Sequence, residues 1–432
     1  MTTIRVATAL AAAALLAAGA QAGDKKADKA DKKTALRMFT LTTKSDVART
    51  KLREVQDRVE SFRGGPQSAQ LIKEILELDP DFAMGVYYLS ATTPPPENQK
   101  HLDRAVELSK NASDGERRFI ETMVIARGKT PADAVEPLRK LVADYPGERV
   151  LYMLQGQNLA GLGRHDEARA AYEQANRLDD RTPRAYQLIG NYYVMKGDYA
   201  RAREQYMLAR ARVPKGLAPG ALAYGVTFTH LYEGNVDEAL KTLHAYIPEF
   251  NSATIRFGEL PEVFIWNSIA RINLEHGRLD AAMKAYEKGF ESVPASALNE
   301  EQKTIWLGRL HHGRGRTLAR MGKHAEAWKE AETIQRMITE GGERGKQFEP
   351  AYHYLAGYLK LEAGDATAAI EHLKKSDVDD DPFHKLLLAR AYEKAGNKED
   401  AKKLYTEIVN HPQSSMERAL AYPEAKKRLS TL

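Results

Sequence analysis

The stretch with the strongest ion-binding character is Asp377–Asp381 (DVDDD), whose carboxylates have the spacing that opens a calcium loop. A calcium loop also needs a glycine at its sixth position and a bidentate glutamate at its twelfth. Here Pro382 and Leu388 stand at those positions. This disfavours calcium, and Asp381 followed by Pro382 instead predicts the N-cap and the first residue of a helix.

A second stretch, Gly341–Lys346 (GGERGK), resembles a phosphate-binding loop in composition. It lacks the spacing of a P-loop, and Gln347 follows the lysine where Ser or Thr would be required. We therefore predict a flexible loop between structural units and no nucleotide. We expect no cofactor.

The remaining chemistry-bearing residues form no catalytic pattern. The chain has no H-E-x-x-H or G-x-S-x-G motif, and its twelve histidines are scattered along the sequence. His311 and His312 are adjacent, so on a helix they point about 100° apart and cannot chelate one ion. We expect no metal site and no catalytic site, and interpret the protein as a non-enzyme.

The sequence is organised by a repeat of 34 residues, which is typical of stacked helix pairs. Small and aromatic residues recur at constant offsets between Arg149 and Pro214. Gly156, Ala168, Tyr172 and Ala175 reappear as Gly190, Ala202, Tyr206 and Ala209.

Each unit reads as two helices joined by a short turn. In the second of these two units, Tyr186–Met195 is predicted as helix A and Tyr199–Arg210 as helix B. Gly197 supplies the left-handed backbone that ends a helix, and Asp198 can cap the next one. The small residues allow the two helices to approach closely.

The same signals continue along the chain with a looser period. The alanine of helix B recurs with a glycine five residues before it each time. The alanines are Ala168, Ala202, Ala239, Ala282, Ala327, Ala369 and Ala401. We count about ten helix pairs, with extra residues near Asn251–Glu262, Ala295–Glu301 and Gly341–Pro350.

This pattern resembles the tetratricopeptide repeat (TPR), most closely in the two units between Arg149 and Pro214. The resemblance implies an all-α fold, a right-handed superhelical solenoid of about ten stacked TPR-like helix pairs. It also implies that the A helices line a concave groove.

Carried over position by position, the resemblance also implies which residues line that groove. The predicted ligand- or peptide-binding residues are Gln187, Asn191, Tyr224, Phe228, Asn267, Arg271, Arg309, His312, Arg316, Tyr354, Tyr358 and Arg390. Aromatic rings beside arginine and amide groups suit an extended peptide. Some of these aromatic side chains could instead pack between units, and the arginines could be merely solvated. Asn191 matches one position of the TPR carboxylate clamp, but its lysine partners are missing.

The two ends of the chain differ from the repeats. Residues 1–22 read as a signal peptide, with Arg5, an apolar run and Ala20-Gln21-Ala22 before a cleavage expected after Ala22. Residues 23–41 begin with a run of small and charged residues and are predicted to be a flexible spacer. The solenoid is expected over 42–414, and a capping helix over 415–432.

Composition narrows the possible partners and the compartment. A net charge of +5 over 432 residues does not favour nucleic acid. The absence of cysteine excludes disulfides, thiolate metal sites and a lipoprotein anchor. We expect a periplasmic or secreted protein with no integral membrane segment after leader cleavage.

Two functional hypotheses follow. The first is a non-enzymatic interaction scaffold or adaptor that binds a protein or peptide partner in the concave TPR groove. On that hypothesis, replacing Arg271, His312 and Arg316 together weakens partner binding without lowering the melting temperature. The alternative is a structural subunit of an envelope export or assembly complex, docked through an edge of the solenoid.

Overall fold

The computed structural model describes residues 36–128, 130–253, 261–376 and 380–432. Over these residues the chain is helical, with ten successive helix pairs and one final helix, and it contains no strand. The helices are α1 (Asp46–Glu60), α2 (Pro66–Leu78), α3 (Ala83–Thr92), α4 (Glu97–Ser109), α5 (Asp114–Gly128), α6 (Val135–Asp144), α7 (Arg149–Gly161), α8 (His165–Leu178), α9 (Pro183–Lys196), α10 (Tyr199–Arg210), α11 (Gly220–Tyr232), α12 (Val236–Ser252), α13 (Glu262–Glu275), α14 (Leu279–Phe290), α15 (Glu300–Arg320), α16 (His324–Gly345), α17 (Glu349–Glu362), α18 (Ala366–Lys375), α19 (Pro382–Lys394), α20 (Lys398–Val409) and α21 (Met416–Leu429).

The helices divide between two compact units, and the division falls within α11. In the first unit, which ends at Gly225, the odd-numbered helices from α1 to α9 each pack against the helix that follows. In the second unit, which begins at Val226, the same pairing holds from α13 to α20. This confirms the predicted all-helical fold of adjacent helix pairs.

The turns and close approaches fall where the repeat pattern places them. All seven glycines that precede the recurring alanines have positive φ, between +74° and +87°, which a residue with a side chain rarely adopts. All seven alanines are buried. The predicted helix Tyr199–Arg210 has those same bounds, and Asp198 accepts a hydrogen bond from the backbone N–H of Arg201.

The small residues on the A helices allow aromatic side chains of the B helices to pack against the backbone. A Cβ atom on Gly156 would lie 2.3 Å from the ring of Tyr172, and one on Gly190 would lie 2.7 Å from Tyr206. Both tyrosines are buried. Packing of ring against backbone therefore holds each pair together at the close approach that the small residues predict.

Two predicted boundaries are corrected by the structure. The expected spacer, 23–41, ends earlier, because Phe39 and Leu41 are buried against the first unit. The flexible loop expected at Gly341–Lys346 is instead largely helical. α16 continues to Gly345 with a kink at Gly342, where φ is +54°, and one 3-10 turn leads into α17.

Candidate functional site

Of the predicted groove residues, Gln187, Asn191 and Tyr224 lie in the first unit. Gln187 and Tyr224 are buried. The side-chain oxygen Oδ1 of Asn191 accepts a hydrogen bond of 2.6 Å from the hydroxyl of Tyr206. These side chains therefore stabilise the helix packing, and the expectation that they line an open groove is wrong for Gln187 and Tyr224.

The second unit brings five of the predicted residues together: Arg271, His312, Arg316, Tyr354 and Tyr358. We call them the inner cluster. The rings of His312 and Tyr354 meet edge to face with centroids 4.9 Å apart. The guanidinium carbon of Arg316 lies 6.0 Å from the ring centroid of Tyr354 and 5.7 Å from that of Tyr358.

Two residues of the inner cluster are closed to a ligand. Arg316 is 4% exposed, and it donates a 3.1 Å hydrogen bond to the hydroxyl of Tyr286. Its second guanidinium nitrogen lies 3.6 Å from a carboxylate oxygen of Glu275. Tyr358 has no exposed surface. Arg316 and Tyr358 are therefore interior residues, which corrects their assignment to the groove.

The C-terminal helix covers another part of this surface. Arg271 on α13 forms an ion pair with Glu417 on α21, and Arg418 donates a 3.0 Å hydrogen bond to the hydroxyl of Tyr232. The helix begins one residue after Ser415, whose side chain accepts from the N–H of Arg418. The predicted capping helix thus also packs against helices at the start of its own unit.

Three predicted residues of the second unit keep some accessible surface outside the cluster. Arg309 is exposed and its guanidinium carbon lies 4.7 Å from the ring centroid of Trp306. Phe228 and Asn267 are partly exposed.

Charges near the inner cluster shift the pKa values of their neighbours. Burial and the positive charges of Arg316, Arg271 and Arg309 hold the pKa of His312 well below its ordinary value. Burial and the nearby charge of Glu417 raise the pKa of Asp381 to about 6. Burial opposes the charged form of Glu417 too, but the attraction of Arg271 outweighs it and lowers the pKa of Glu417.

A cavity of about 410 Å³ lies in the second unit where α15, α17, α19 and α21 approach one another. We call it the charged pocket. Its cationic lining residues are Arg320, Arg390, Lys394 and Arg428, and its acidic ones are Glu362, Glu393 and Glu424. Of these seven, only Arg390 is among the twelve predicted groove residues.

The charged side chains of the pocket form pairs that remain partly accessible. Arg390 donates two hydrogen bonds to the carboxylate of Glu424, at 2.9 and 2.7 Å, and their side chains are 28% and 32% exposed. This pairing lowers the pKa of Glu424 although burial opposes it. Arg428 lies 3.4 Å from Glu393. A ligand can therefore reach both partners of each pair.

A regular sequence signal underlies the pocket. The residue two positions before the turn glycine is charged in the last four repeats, with alternating sign: Glu275, Arg320, Glu362 and Lys394. Each lies at or near the C-terminal end of an A helix, and the last three line the pocket. The equivalent positions of earlier repeats, Gly161, Met195 and Tyr232, carry no charge. This register is a local sequence signal for three of the pocket's lining residues.

The stretches with ion-binding composition have structural roles where they are described. Asp381 caps α19 by accepting hydrogen bonds from the N–H groups of Phe383 and His384, as predicted. Residues 377–379 of the aspartate run lie outside the described residues. Within the described part of the chain, no three histidine, aspartate or glutamate side chains come together as a metal site.

A helix that crosses a membrane needs about 20 predominantly apolar residues. No helix in the described ranges combines the length and the apolar character that crossing a membrane requires. The predicted leader, residues 1–22, lies outside those ranges.

Comparison with known proteins gives the family but no partner. Residues 153–216, 265–294 and 385–414 each match a tetratricopeptide repeat family model. No protein of curated function matches the chain.

Several solved structures have a similar arrangement of helices. One is a tetratricopeptide repeat protein from Parabacteroides merdae ATCC 43184, with 17% identity over 64% of this chain and 98% of that chain, and a TM-score of 0.44. Another is PilW, a type IV pilus biogenesis factor, with 13% identity over 55% of this chain and 99% of that chain, and a TM-score of 0.39. A third is the human IFIT1 dimer with PPP-AAAA, with 15% identity over 86% of this chain and 97% of that chain, and a TM-score of 0.41.

Similarities of this size carry no inference about function. The family models identify tetratricopeptide repeats in three segments. The positive-φ turn glycines and the buried alanines of helix B are consistent with such repeats. The chain therefore contains tetratricopeptide repeats.

Proposed function

We propose that this protein is a non-enzymatic scaffold that binds a polypeptide partner through the charged pocket of its second unit. Stacked helix pairs present extended surfaces that repeat proteins use for binding. The pocket is the cavity in the second unit where side chains from four helices converge and remain accessible. The inner cluster is a poorer candidate, because Arg316 and Tyr358 are buried.

The alternating charges of the pocket are the observation that carries the proposal. A carboxylate of the partner can replace Glu424 on the two-pronged guanidinium of Arg390, since arginine binds carboxylates through two parallel hydrogen bonds. A basic side chain of the partner can pair with the exposed Glu362. The favoured partner is therefore a polypeptide segment that carries charged side chains of both signs.

The energetic gain of such an exchange is modest for each pair, because partly exposed ion pairs contribute about 0–1 kcal/mol. Several pairs along one segment are needed for useful affinity. Charge patterning then controls specificity and association rate more than affinity.

Crosslinking capture with the full-length protein as bait tests the proposal. The pocket variant Arg390→Ala/Arg428→Ala is compared with Arg139→Ala/Arg164→Ala, which removes two exposed, ion-paired arginines of the first unit. The proposal predicts that the pocket variant loses partners that wild type and the control variant both retain, with unchanged melting temperature. Identical capture by all three proteins would argue against the pocket.

The working compartment is part of the same proposal. The leader-like residues 1–22 support a periplasmic or secreted location, where the partner would be an envelope or secreted protein. Fractionation of cells that produce the full-length chain, followed by N-terminal sequencing of the mature protein, tests this location. A mature chain that begins at Gly23 is expected.

A further inference from the structure

Residues 36–44 form a segment without helix or strand on the first unit, just before α1, and it turns at its end, where the N–H of Thr43 donates to the carbonyl oxygen of Leu41. Phe39 and Leu41 are buried, whereas Thr40 and Thr42 between and beside them are exposed. The ring of Phe39 packs edge-on against Phe119 and Tyr145, with centroid distances of 5.9 and 4.9 Å. This alternation of buried and exposed side chains is that of an extended peptide lying on a surface.

The helix beneath the segment is shaped to receive it. A Cβ atom on Gly115, in the first turn of α5, would lie 2.4 Å from the ring of Phe39. Glycine at this position therefore leaves room for an aromatic side chain against the helix backbone.

Three carboxylates hold the backbone of the segment. The N–H of Phe39 donates to Glu148 at 2.8 Å, the N–H of Thr42 donates to Glu116 at 2.8 Å, and the N–H of Lys44 donates to Asp79 at 2.9 Å. We call Asp79, Glu116 and Glu148 the acidic rim. They come from three consecutive repeats, at or near the start of α3, α5 and α7, and all three are buried.

One further backbone contact completes the arrangement. The N–H of Gly147 donates a 2.9 Å hydrogen bond to the carbonyl oxygen of Arg37. The segment is thus bound through its main chain at four points and through two apolar side chains. Main-chain contacts tolerate many sequences, while pockets for alternate side chains select among them.

We propose that the acidic rim is a binding site for an extended polypeptide segment with apolar side chains at positions i and i+2, and that residues 36–44 occupy it as an internal ligand. A partner with this pattern displaces the internal segment. This site lies in the first unit and is independent of the charged pocket.

The internal segment acts as a competitor. A tethered ligand has an effective concentration that reaches the millimolar range for short linkers, so it outcompetes a dilute external peptide. The apparent affinity for an external segment equals the affinity of the vacant rim multiplied by the fraction of time for which the rim is vacant. Weakening the internal segment must therefore tighten external binding.

The test uses the full-length chain and a fluorescent peptide with the sequence of residues 36–44 (LRMFTLTTK). Its binding to wild type is compared with binding to Phe39→Ala/Leu41→Ala, whose internal segment lacks both apolar anchors. We expect the variant to bind the peptide at least about tenfold more tightly than wild type. A peptide in which both anchors are alanine should not bind either protein.

Adding Gly115→Ala to the double variant should abolish peptide binding, because the new methyl group occupies the space of the aromatic ring. Gly161→Ala is the matched control, since nothing lies within 4 Å of a Cβ atom there. Equal affinity of wild type and the folded double variant, or no binding by either, would overturn the proposal.

If the double variant does not fold, a protease site between Lys44 and Ser45 of the otherwise wild-type full-length chain replaces it. Lys44 is exposed and precedes the cap of α1. Exchange of the cleaved segment for the labelled peptide, with the helical fold retained, is expected. Unfolding on cleavage, or a segment that never exchanges, would show that residues 36–44 are a fixed part of the fold.

Discussion

The guanidinium of Arg316 donates a 3.1 Å hydrogen bond to the hydroxyl of Tyr286, and both side chains are buried. Tyr286 lies on a B helix and occupies the position of Tyr172 and Tyr206 in earlier repeats. A residue expected to face a ligand is therefore bonded to the packing core of the neighbouring pair.

This relationship predicts a stability effect for Arg316. Arg316→Ala leaves the buried carboxylate of Glu275 paired with Arg320 alone, and because breaking a buried pair costs about 3–5 kcal/mol, the expected loss lies at or below the lower end of that range. Tyr286→Phe removes only one hydrogen bond from a charged donor and should cost about 1.5–3 kcal/mol. Urea unfolding measures both. Arg139→Ala, at an arginine whose side chain is 62% exposed, is the control and should change stability little. A negligible loss for Arg316→Ala would show that the residue is not structural.

A pair of glycines on α7 tests the close packing of the repeats. Gly156→Ala places a methyl group 2.3 Å from the ring of Tyr172 and should destabilise the protein by about 1–3 kcal/mol. Gly161→Ala meets no atom within 4 Å and should be neutral or stabilising by up to about 1 kcal/mol. Thermal unfolding of the two variants distinguishes packing from helix propensity, which favours alanine at both positions. Equal effects would contradict ring-against-backbone packing.

The lowered pKa of His312 predicts that the stability of the protein depends on pH. Its folded-state pKa lies well below the ordinary value of about 6.5, so below that pH the unfolded chain binds a proton that the folded chain does not. The contribution of His312 is thus complete above about pH 6.5 and is lost as the pH falls. The unfolding free energy of wild type should therefore fall more between pH 7.5 and pH 5 than that of His312→Gln.

Asp381 titrates in the same range with the opposite sign. Its folded pKa of about 6 is above the unfolded value of about 3.9, so its contribution to stability declines as the pH rises between those values. Because Asp381 is present in wild type and in His312→Gln, its contribution largely cancels in the comparison. A stability difference that is the same at pH 5 and pH 7.5 would count against the depressed pKa of His312.

The C-terminal helix gives a prediction about the second unit. Arg418 is buried and bonds to the hydroxyl of Tyr232 and, at 2.9 Å, to the carbonyl oxygen of Val409. Arg418→Ala removes both bonds and should lower the unfolding free energy by about 2–3 kcal/mol. Lys427→Ala on the exposed side of the same helix should change it by less than about 0.5 kcal/mol. Hydrogen exchange of α21 should accelerate only in the Arg418 variant.

The repeat architecture was predictable because the residues that determine each helix pair lie close together in the sequence. Turn glycines, helix-B alanines and the cap at Asp198 each act within a few residues, and each has its predicted role. The groove was not predictable in the same way. Arg271 meets Glu417 from 146 residues away, and no repeat position encodes that contact.

The packing of the N-terminal segment was also not predictable from local spacing. The charged run that follows the leader favours a solvated spacer, and the apolar residues Phe39 and Leu41 are too few to predict a packed element. The residues that Phe39 contacts, Phe119, Tyr145 and Glu148, lie 80 residues or more further along the chain. The charged pocket, by contrast, does have a local signal, in the alternating charges two residues before successive turn glycines.

The most direct test of the central claim is site-specific photo-crosslinking in the native cell fraction. A photoreactive residue replaces Glu362 in the charged pocket, and a matched one replaces Glu300 at the exposed start of α15. We expect a discrete polypeptide to crosslink from position 362, to be absent from position 300 and to be lost when Arg390→Ala/Arg428→Ala is added. Crosslinks that are equal at the two positions, or that survive the pocket substitutions, would contradict it.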